Sequence, residues 1–205
     1  MAESHQSKYF NREKAAEATK MLLEAIGFDG EHMVHWSEDD NLKDTPNRVA
    51  KMWEIVANGY DEDPKRHLKL FPSESKEMIA LTNVPLYSHC SHHLALFRGR
   101  MTIAYLPHGK VLGISKLLRI ARVYAKRLQL QEDLTNQIAK FIEENISPDC
   151  AVDIRAEHTC MTIRGVRSPG SQTVTTAVRG KFRTEPALRA EFIEIANNNK
   201  GISLQ

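Results

Sequence analysis

The segment Ser88-His89-Cys90-Ser91-His92-His93 lies between two runs of β-forming residues, and the predicted fold of the second half of the chain depends on it. Met78–Tyr87 leads into the segment as a predicted strand, and Leu94–Leu106 follows it as a long strand or a hairpin arm. A second such segment, Glu157-His158-Thr159-Cys160, joins two more runs that are typical of strands, Ala151–Glu157 and His158–Gly165. Both Cys-His segments are therefore predicted at strand ends.

Cys90, His93 and Cys160 form a Cys-His-Cys set of potential metal ligands. Three protein ligands with a fourth position left open are typical of a catalytic zinc site. His92 and His158 each lie one or two residues from a ligand, so they are candidate proton carriers. Two plainer interpretations stay open, because Cys90 and Cys160 could pair as a disulfide or simply be buried.

The composition indicates a globular protein rather than a membrane or disulfide-stabilised one. The chain has 205 residues, of which 41% are hydrophobic and 26% charged, with a net charge of +2. No apolar run is long enough to span a bilayer, and the polar N-terminus has no signal-peptide core. Three cysteines do not make a disulfide framework, so we expect a reducing cytoplasm. We also expect no membrane or nucleic-acid partner.

The first part of the chain is predicted to be helical. Arg12–Ile26 carries apolar residues at helical spacing, and Asp44-Thr45-Pro46 is typical of a helix start with Asp44 as the cap. Arg48 and Lys51 would be exposed near that start, which is also typical of an ordinary solvated face. We expect residues 1–77 to form an N-terminal tail and helical extension, and residues 78–205 to form the catalytic domain.

Two further helices are predicted, at Ile114–Leu128 and Gln131–Ile146. Ser115, Lys116 and Arg119 lie in the first turns of the former helix. Cations at a helix N-terminus oppose the helix dipole, and a bound anion would account for them, although a basic solvated face is the alternative.

The predicted order of helices and strands indicates an α+β fold. A strand at Thr173–Phe182 and a helix at Pro186–Ala196 complete the chain. We expect an antiparallel sheet of about four strands with the helical pair packed on one face. Open edges of such a sheet are usually closed by symmetry, so we expect an oligomer.

Several segments together resemble the GTP cyclohydrolase I family, in the order in which that family has them. They are Asp44–Ala50, Cys90–His93, Gly113–Arg119, Gln129–Thr135 and His158–Gly165. The resemblance runs from about residue 12 to residue 196. It implies a tunnelling fold assembled as a ring, with two pentamers stacked into a decamer and active sites between subunits. It also implies conversion of GTP and water into 7,8-dihydroneopterin triphosphate and formate.

The resemblance further implies a role for each matching residue. Cys90, His93 and Cys160 would hold one Zn²⁺ per subunit, and the metal would activate a water that attacks C8 of guanine. His92 and His158 would carry protons. The remaining roles are assistance of the sugar rearrangement by Ser115, guanine binding by Gln131 and Glu132, and triphosphate binding by Lys116, Arg119, Arg164, Arg48 and Lys51.

The chain departs from the family pattern at two positions close to the predicted site. Ser91 replaces the usual Glu, and Ala95 replaces a frequent Pro. Loss of the carboxylate changes the surroundings of His92, so rate and substrate preference become open questions. Two other classes of function stay open: a zinc-free nitrile reductase of the same fold, acting on a deazaguanine through a Cys nucleophile, and a non-catalytic zinc protein that binds purine nucleotides.

Overall fold

The computed structural model describes residues 8–198, and the chain divides into two compact units, Met1–Glu62 and Asp63–Gln205. This division falls earlier than the domain boundary expected at residues 77 and 78. The difference arises because strand β1, Leu70–Pro72, pairs antiparallel with strand β4, Lys110–Leu112. That pairing attaches residues 63–77, which were expected in the N-terminal extension, to the second unit.

The first unit contains the two predicted helices, α1 at Arg12–Ala25 and α2 at Thr45–Val56. The side chain of Asn11 caps α1 by accepting the backbone N–H of Lys14 at 2.8 Å. Asp44 occupies the N-cap position of α2 as predicted, but its side chain makes no capping hydrogen bond.

The second unit contains the remaining helices and all the strands of the described residues. The helices are α3 Ile114–Ala125, α4 Gln131–Asn145, α5 Thr159–Thr162, α6 Lys181–Thr184 and α7 Pro186–Asn197. The strands besides β1 and β4 are β2 Ile79–Cys90, β3 Leu96–Tyr105, β5 Leu128–Gln129, β6 Cys150–His158 and β7 Thr173–Val178. Within residues 8–198, every helix is too short or too polar to cross a membrane.

The main sheet has five strands in the order β5-β2-β3-β6-β7. The four long strands run antiparallel to their neighbours, as expected, and the short β5 adds a parallel pair with the end of β2. In the register, Phe97 of β3 lies opposite His158 of β6, and Tyr105 lies opposite Cys150. The fold is thus α+β, with one strand more than sequence patterns indicated.

The core lies between one face of this sheet and the pair α3 and α4, as predicted. Alternate residues of β3 and β6 supply the sheet side of the core because strand side chains point alternately to the two faces. The largest fully buried members are Leu86, Phe97, Met101, Ile103, Tyr105 and Ile154 from the sheet, and Ile120, Leu134, Ile138 and Ile142 from the helices. On the opposite face, Phe182 and Phe192 of α6 and α7 cover Ala104 and Ala151 at one end of the sheet.

The predicted strand over His158–Gly165 is wrong. Strand β6 ends at His158 because its partner β3 begins only at Leu96, and the next residues form the helical turn α5. The Thr159 hydroxyl donates to the carbonyl of Leu96 at 2.7 Å, which holds this turn against the start of β3.

The predicted strand over Thr173–Phe182 is correct only as far as Val178, where β7 ends. Gly180 then adopts φ +53°, and a Cβ at this position would lie 2.1 Å from Asp149 Oδ1. A residue with a side chain would therefore clash and be strained, and this glycine allows the chain to turn into α6.

Candidate metal centre

The loop between β2 and β3 brings Cys90 and His93 together. Cys90 donates its backbone N–H to Ala95 O at 2.8 Å, and Leu94 donates to Cys90 O at 2.9 Å, which closes a tight turn. Leu94 has φ +53°, an uncommon conformation for a residue with a branched side chain, so surrounding contacts must hold it. The turn places Cys90 Sγ 3.9 Å from His93 Nδ1.

Turn α5 adds Cys160 to this pair, so that one donor atom from each of Cys90, His93 and Cys160 lies within 4.8 Å of the other two. A tetrahedral zinc ion with Zn–S of about 2.3 Å and Zn–N of about 2.0 Å holds its donors about 3.5 to 3.8 Å apart. The observed spacing needs only small side-chain movements to reach that geometry. The three residues therefore fit a zinc ion, and their chemistry leaves one position for water.

The electrostatics of the cluster also fit a cation. Burial raises the pKa of the Cys160 thiol, and the neighbouring Cys90 raises it further, whereas Arg164 lowers it. The Cys160 thiol therefore resists ionisation when no cation is present, and a bound divalent metal would stabilise its thiolate. Both cysteines are free thiols in the structure, so the alternative of a disulfide between them is not realised.

His158 lies at the end of β6 with its ring fixed on two sides. It stacks on Phe97 with ring centroids 4.7 Å apart and planes 7° from parallel. Its Nε2 atom lies 2.8 Å from Gln131 Oε1. Burial lowers the pKa of His158 below its ordinary value, and the carboxylate of Glu132 partly opposes that shift. The imidazole is therefore biased toward its neutral form and can accept a proton.

The other residues that were predicted beside the metal lie close to it. The ring of His92, an exposed residue, meets that of His93 edge-on with centroids 6.1 Å apart. Arg164 follows α5, and its Nη1 atom lies 3.2 Å from His93 Nε2. A proton carrier and a cation are therefore available next to the three candidate ligands.

The two residues predicted to hold guanine differ sharply in exposure. Glu132 is exposed in the first turn of α4, close enough to His158 to affect its pKa. Gln131 is only 1% exposed, and its side-chain amide contacts β6 and β7 as well as His158. Of this pair, only Glu132 presents its side chain to solvent.

The predicted phosphate-binding residues fall into separate parts of the chain. Arg119 is exposed and Lys116 is partly exposed in the first turns of α3, where Ser115, the residue predicted to assist the sugar rearrangement, is also exposed. Within residues 8–198 no hydrogen bond or ion pair joins these three residues to the metal cluster. Arg48 belongs to the first unit, where it donates to Asn41 O at 2.6 Å. Lys51 is exposed on the same helix.

Sequence reasoning missed Phe97 and the two threonines that surround the Gln131 side chain, Thr135 and Thr175. Phe97 is recognisable only through the register, because it lies directly opposite His158 on the neighbouring strand. Thr135 and Thr175 are linked through hydroxyl groups 2.7 Å apart. Ordinary helix and strand positions give no signal for such contacts.

A Cys-His-Cys cluster with an open position, and a neutral histidine beside it, define the class of metal-dependent enzymes in which a protein base works next to the metal. Within that class, the chain belongs to the GTP cyclohydrolase I family. The sequence model of this family matches residues 15–197.

Relatives named GTP cyclohydrolase 1 cover nearly the whole chain. The protein from Carboxydothermus hydrogenoformans is 50% identical over 188 residues, which are 90% of this chain and 94% of the relative. The protein from Pelotomaculum thermopropionicum is 49% identical, covering 91% of this chain and 97% of the relative. The protein from Bacillus subtilis is 45% identical, covering 91% and 96%. The resemblance noted in the sequence is thereby confirmed.

Proposed function

We propose that this chain is a zinc-dependent GTP cyclohydrolase I. The reaction opens the imidazole ring of GTP at C8 and gives 7,8-dihydroneopterin triphosphate and formate, a first step toward pterin, folate or deazapurine synthesis. The observation that carries the proposal is the convergence of Cys90, His93 and Cys160 beside the neutral imidazole of His158, in a chain of this family.

The three donor residues would hold the zinc ion, with Cys90 from the end of β2, His93 from the β2–β3 loop and Cys160 from α5. When bound, zinc lowers the pKa of its water toward neutrality and so supplies a nucleophile at physiological pH. Arg164, next to His93 Nε2, is placed to attract a phosphate group of the substrate toward this end of the sheet.

His158 and His92 would move the protons that ring opening and formate release require. His158 suits the role of general base because burial keeps it neutral and Phe97 holds its plane. His92 is exposed and can exchange protons with water. Ser115 would assist the later rearrangement of the ribose.

Glu132 would bind the guanine edge. Guanine presents N1–H and the 2-amino group side by side, and one ionised carboxylate accepts both hydrogen bonds. Glu132 lies in the first turn of α4, where the helix dipole stabilises its negative charge. Lys116, Arg119, Arg164, Arg48 and Lys51 would bind the triphosphate.

We also propose the tunnelling fold and its ring, with a decamer as the assembled form in the cytoplasm. The antiparallel sheet with α3 and α4 on one face is the arrangement that this fold requires, and β7 is an edge strand to which a neighbouring subunit could be added. Light scattering tests the assembly. A fully active monomer would contradict a site shared between subunits.

One incubation tests the activity. The zinc-loaded protein is mixed with GTP, and formate and the fluorescent pterin that forms after oxidation are measured against the Cys160→Ala variant. Stoichiometric release of both products supports the proposal. Binding of zinc and GTP without formate would instead identify a non-catalytic nucleotide-binding protein, and a protein that neither binds zinc nor releases formate would favour the nitrile reductase class.

A further inference from the structure

The buried amide of Gln131 has one orientation that satisfies its surroundings. Its Nε2 atom lies 3.1 Å from Ile154 O, 3.0 Å from Thr173 O and 3.0 Å from Thr175 Oγ1. Backbone carbonyls only accept hydrogen bonds, so the amide must present its N–H₂ group to them. The flipped amide would place Oε1 against two carbonyl oxygens in a buried site, which is strongly unfavourable.

The neighbouring hydroxyl groups agree with this orientation. Thr135 donates its hydroxyl hydrogen to Gln131 O at 2.7 Å, one turn earlier on α4. The contact of 2.7 Å between the two threonine hydroxyls must therefore have Thr175 as donor. The oxygen of Thr175 then has a lone pair for the Gln131 amide. The Gln131 amide is thus the donor in all three of its contacts and shares its two hydrogens among them.

The network ends at His158. Because the amide nitrogen faces the sheet, Gln131 Oε1 is the atom that lies 2.8 Å from His158 Nε2. Oε1 can only accept, so Nε2 must carry a hydrogen. In a neutral imidazole the lone pair is then on Nδ1, which makes no other hydrogen bond within residues 8–198. The stack on Phe97 keeps the ring from turning out of this plane.

We propose that Gln131 is a positioning residue that fixes His158 as the Nε2–H tautomer, so that Nδ1 is the atom that accepts the proton in the reaction. The catalytic part of this inference rests on the proposed function, whereas the tautomer does not. It replaces the expectation that Gln131 binds guanine, because a side chain that is 1% exposed and fully bonded within the protein has no donor left for a substrate.

The tautomer is tested without turnover. Zinc-loaded, sedimented protein labelled with ¹⁵N-histidine is studied by solid-state NMR at mildly alkaline pH, and the His158 signals are assigned by difference from His158→Gln. The wild type should show a protonated Nε2 and an unprotonated Nδ1. Gln131→Met, which keeps the length of the side chain but removes the acceptor, should show a mixture of tautomers. A wild-type signal from the Nδ1–H form would overturn the inference, whatever the variants do.

Kinetics separate positioning from substrate binding. Gln131→Met should lower kcat for GTP by about 10- to 100-fold, as loss of an orienting hydrogen bond does, with KM within about twofold and ATP still rejected. A raised KM with unchanged kcat would identify Gln131 as a guanine ligand and reject positioning.

Ser147→Ala is the matched control. Ser147 is also 1% exposed, and it donates to Leu106 O at 2.6 Å, away from His158. Ser147→Ala should lower Tm as Gln131→Met does, but it should leave kcat and the His158 tautomer unchanged. A similar fall in kcat in Ser147→Ala would mean that any buried polar defect slows the enzyme and would overturn the specific role. If the wild type releases no formate, the proposed function fails while the NMR result stands by itself.

Discussion

The two ends of strand β6 contain the same types of residue but differ in whether their polar groups are available to bind a ligand. At its start, Cys150 has Asp149 beside it and His108 nearby; at its end, His158 lies near Glu132, and Cys160 follows in the next turn. Cys150 is fully buried, and its Sγ donates to Ala139 O at 3.4 Å. Cys160 is partly exposed and shares its surroundings with a second thiol and an imidazole.

The carboxylates at the two ends, Asp149 and Glu132, also differ in burial and in their bonding within the protein. Asp149 is buried, accepting His108 Nε2 at 2.7 Å with one oxygen and the backbone N–H of Lys181 at 2.7 Å with the other. Glu132 is exposed, and its carboxylate makes no hydrogen bond or ion pair within the described part of the chain. At the start of β6 the polar groups are bonded within the protein and stabilise the fold, whereas at its end they are available to a ligand. Residue type therefore does not identify a site, but unused donors and acceptors do.

The largest contrast is expected from removing one cysteine at each end. Cys160→Ala should lose bound zinc and all measurable formate release, because two remaining ligands hold zinc poorly. Cys150→Ala should keep one zinc per chain and near-normal turnover. Metal analysis of both variants after dialysis, with circular dichroism to confirm folding, measures the difference. Full zinc occupancy in Cys160→Ala would remove the metal centre from this end of the strand.

The next largest effect is expected at the carboxylates. Glu132→Ala should reduce kcat/KM for GTP relative to ATP by up to about 10⁴-fold, since a site built for a hydrogen-bonded edge rejects substrates lacking it by that factor. Zinc content and oligomer size should not change. Asp133→Ala, at the exposed neighbouring position in the same turn, is the control. Unchanged discrimination in Glu132→Ala would place the guanine pocket elsewhere.

The kcat values of the His158→Ala and His108→Ala variants should differ by roughly a hundredfold or more. His158→Ala removes the proposed base, so kcat should fall by about 10²- to 10⁴-fold while zinc is retained. His108→Ala breaks only the pair with Asp149 and should leave kcat unchanged. Steady-state kinetics with zinc analysis on each variant tests both. Loss of zinc in His158→Ala would mean that His158 is a ligand rather than a base.

The smallest effect concerns stability at high pH. Burial raises the pKa of Cys150 from about 9 to about 12, so between these values the unfolded chain binds fewer protons than the native protein. Stability should therefore fall as pH rises above about 9, and this thiol contributes up to about 1.4 kcal/mol per pH unit. Urea unfolding of the wild type and Cys150→Ala over this range measures the contribution. Parallel curves would show that the thiol titrates normally.

Much of the fold follows from the sequence because its signals are local. Helices α1, α3, α4 and α7 begin within one residue of their predicted starts, since apolar spacing and helix-start residues act within one or two turns. The exceptions arise from distant partners. Turn α5 replaces a predicted strand because β3 has no residue before Leu96 with which β6 could pair.

The candidate site likewise has features that depend on local sequence and features that depend on distant partners. By itself, the sequence predicted the candidate donor set Cys90, His93 and Cys160, because Cys and His are concentrated in two short segments and only certain residue types bind zinc. Only the tertiary structure decided which side of the Gln131 amide meets His158, and that Phe97 stacks on the ring of His158. Those outcomes depend on strand register and on helix packing, which bring together residues that are far apart in the chain, and no local pattern encodes the direction of a buried hydrogen bond.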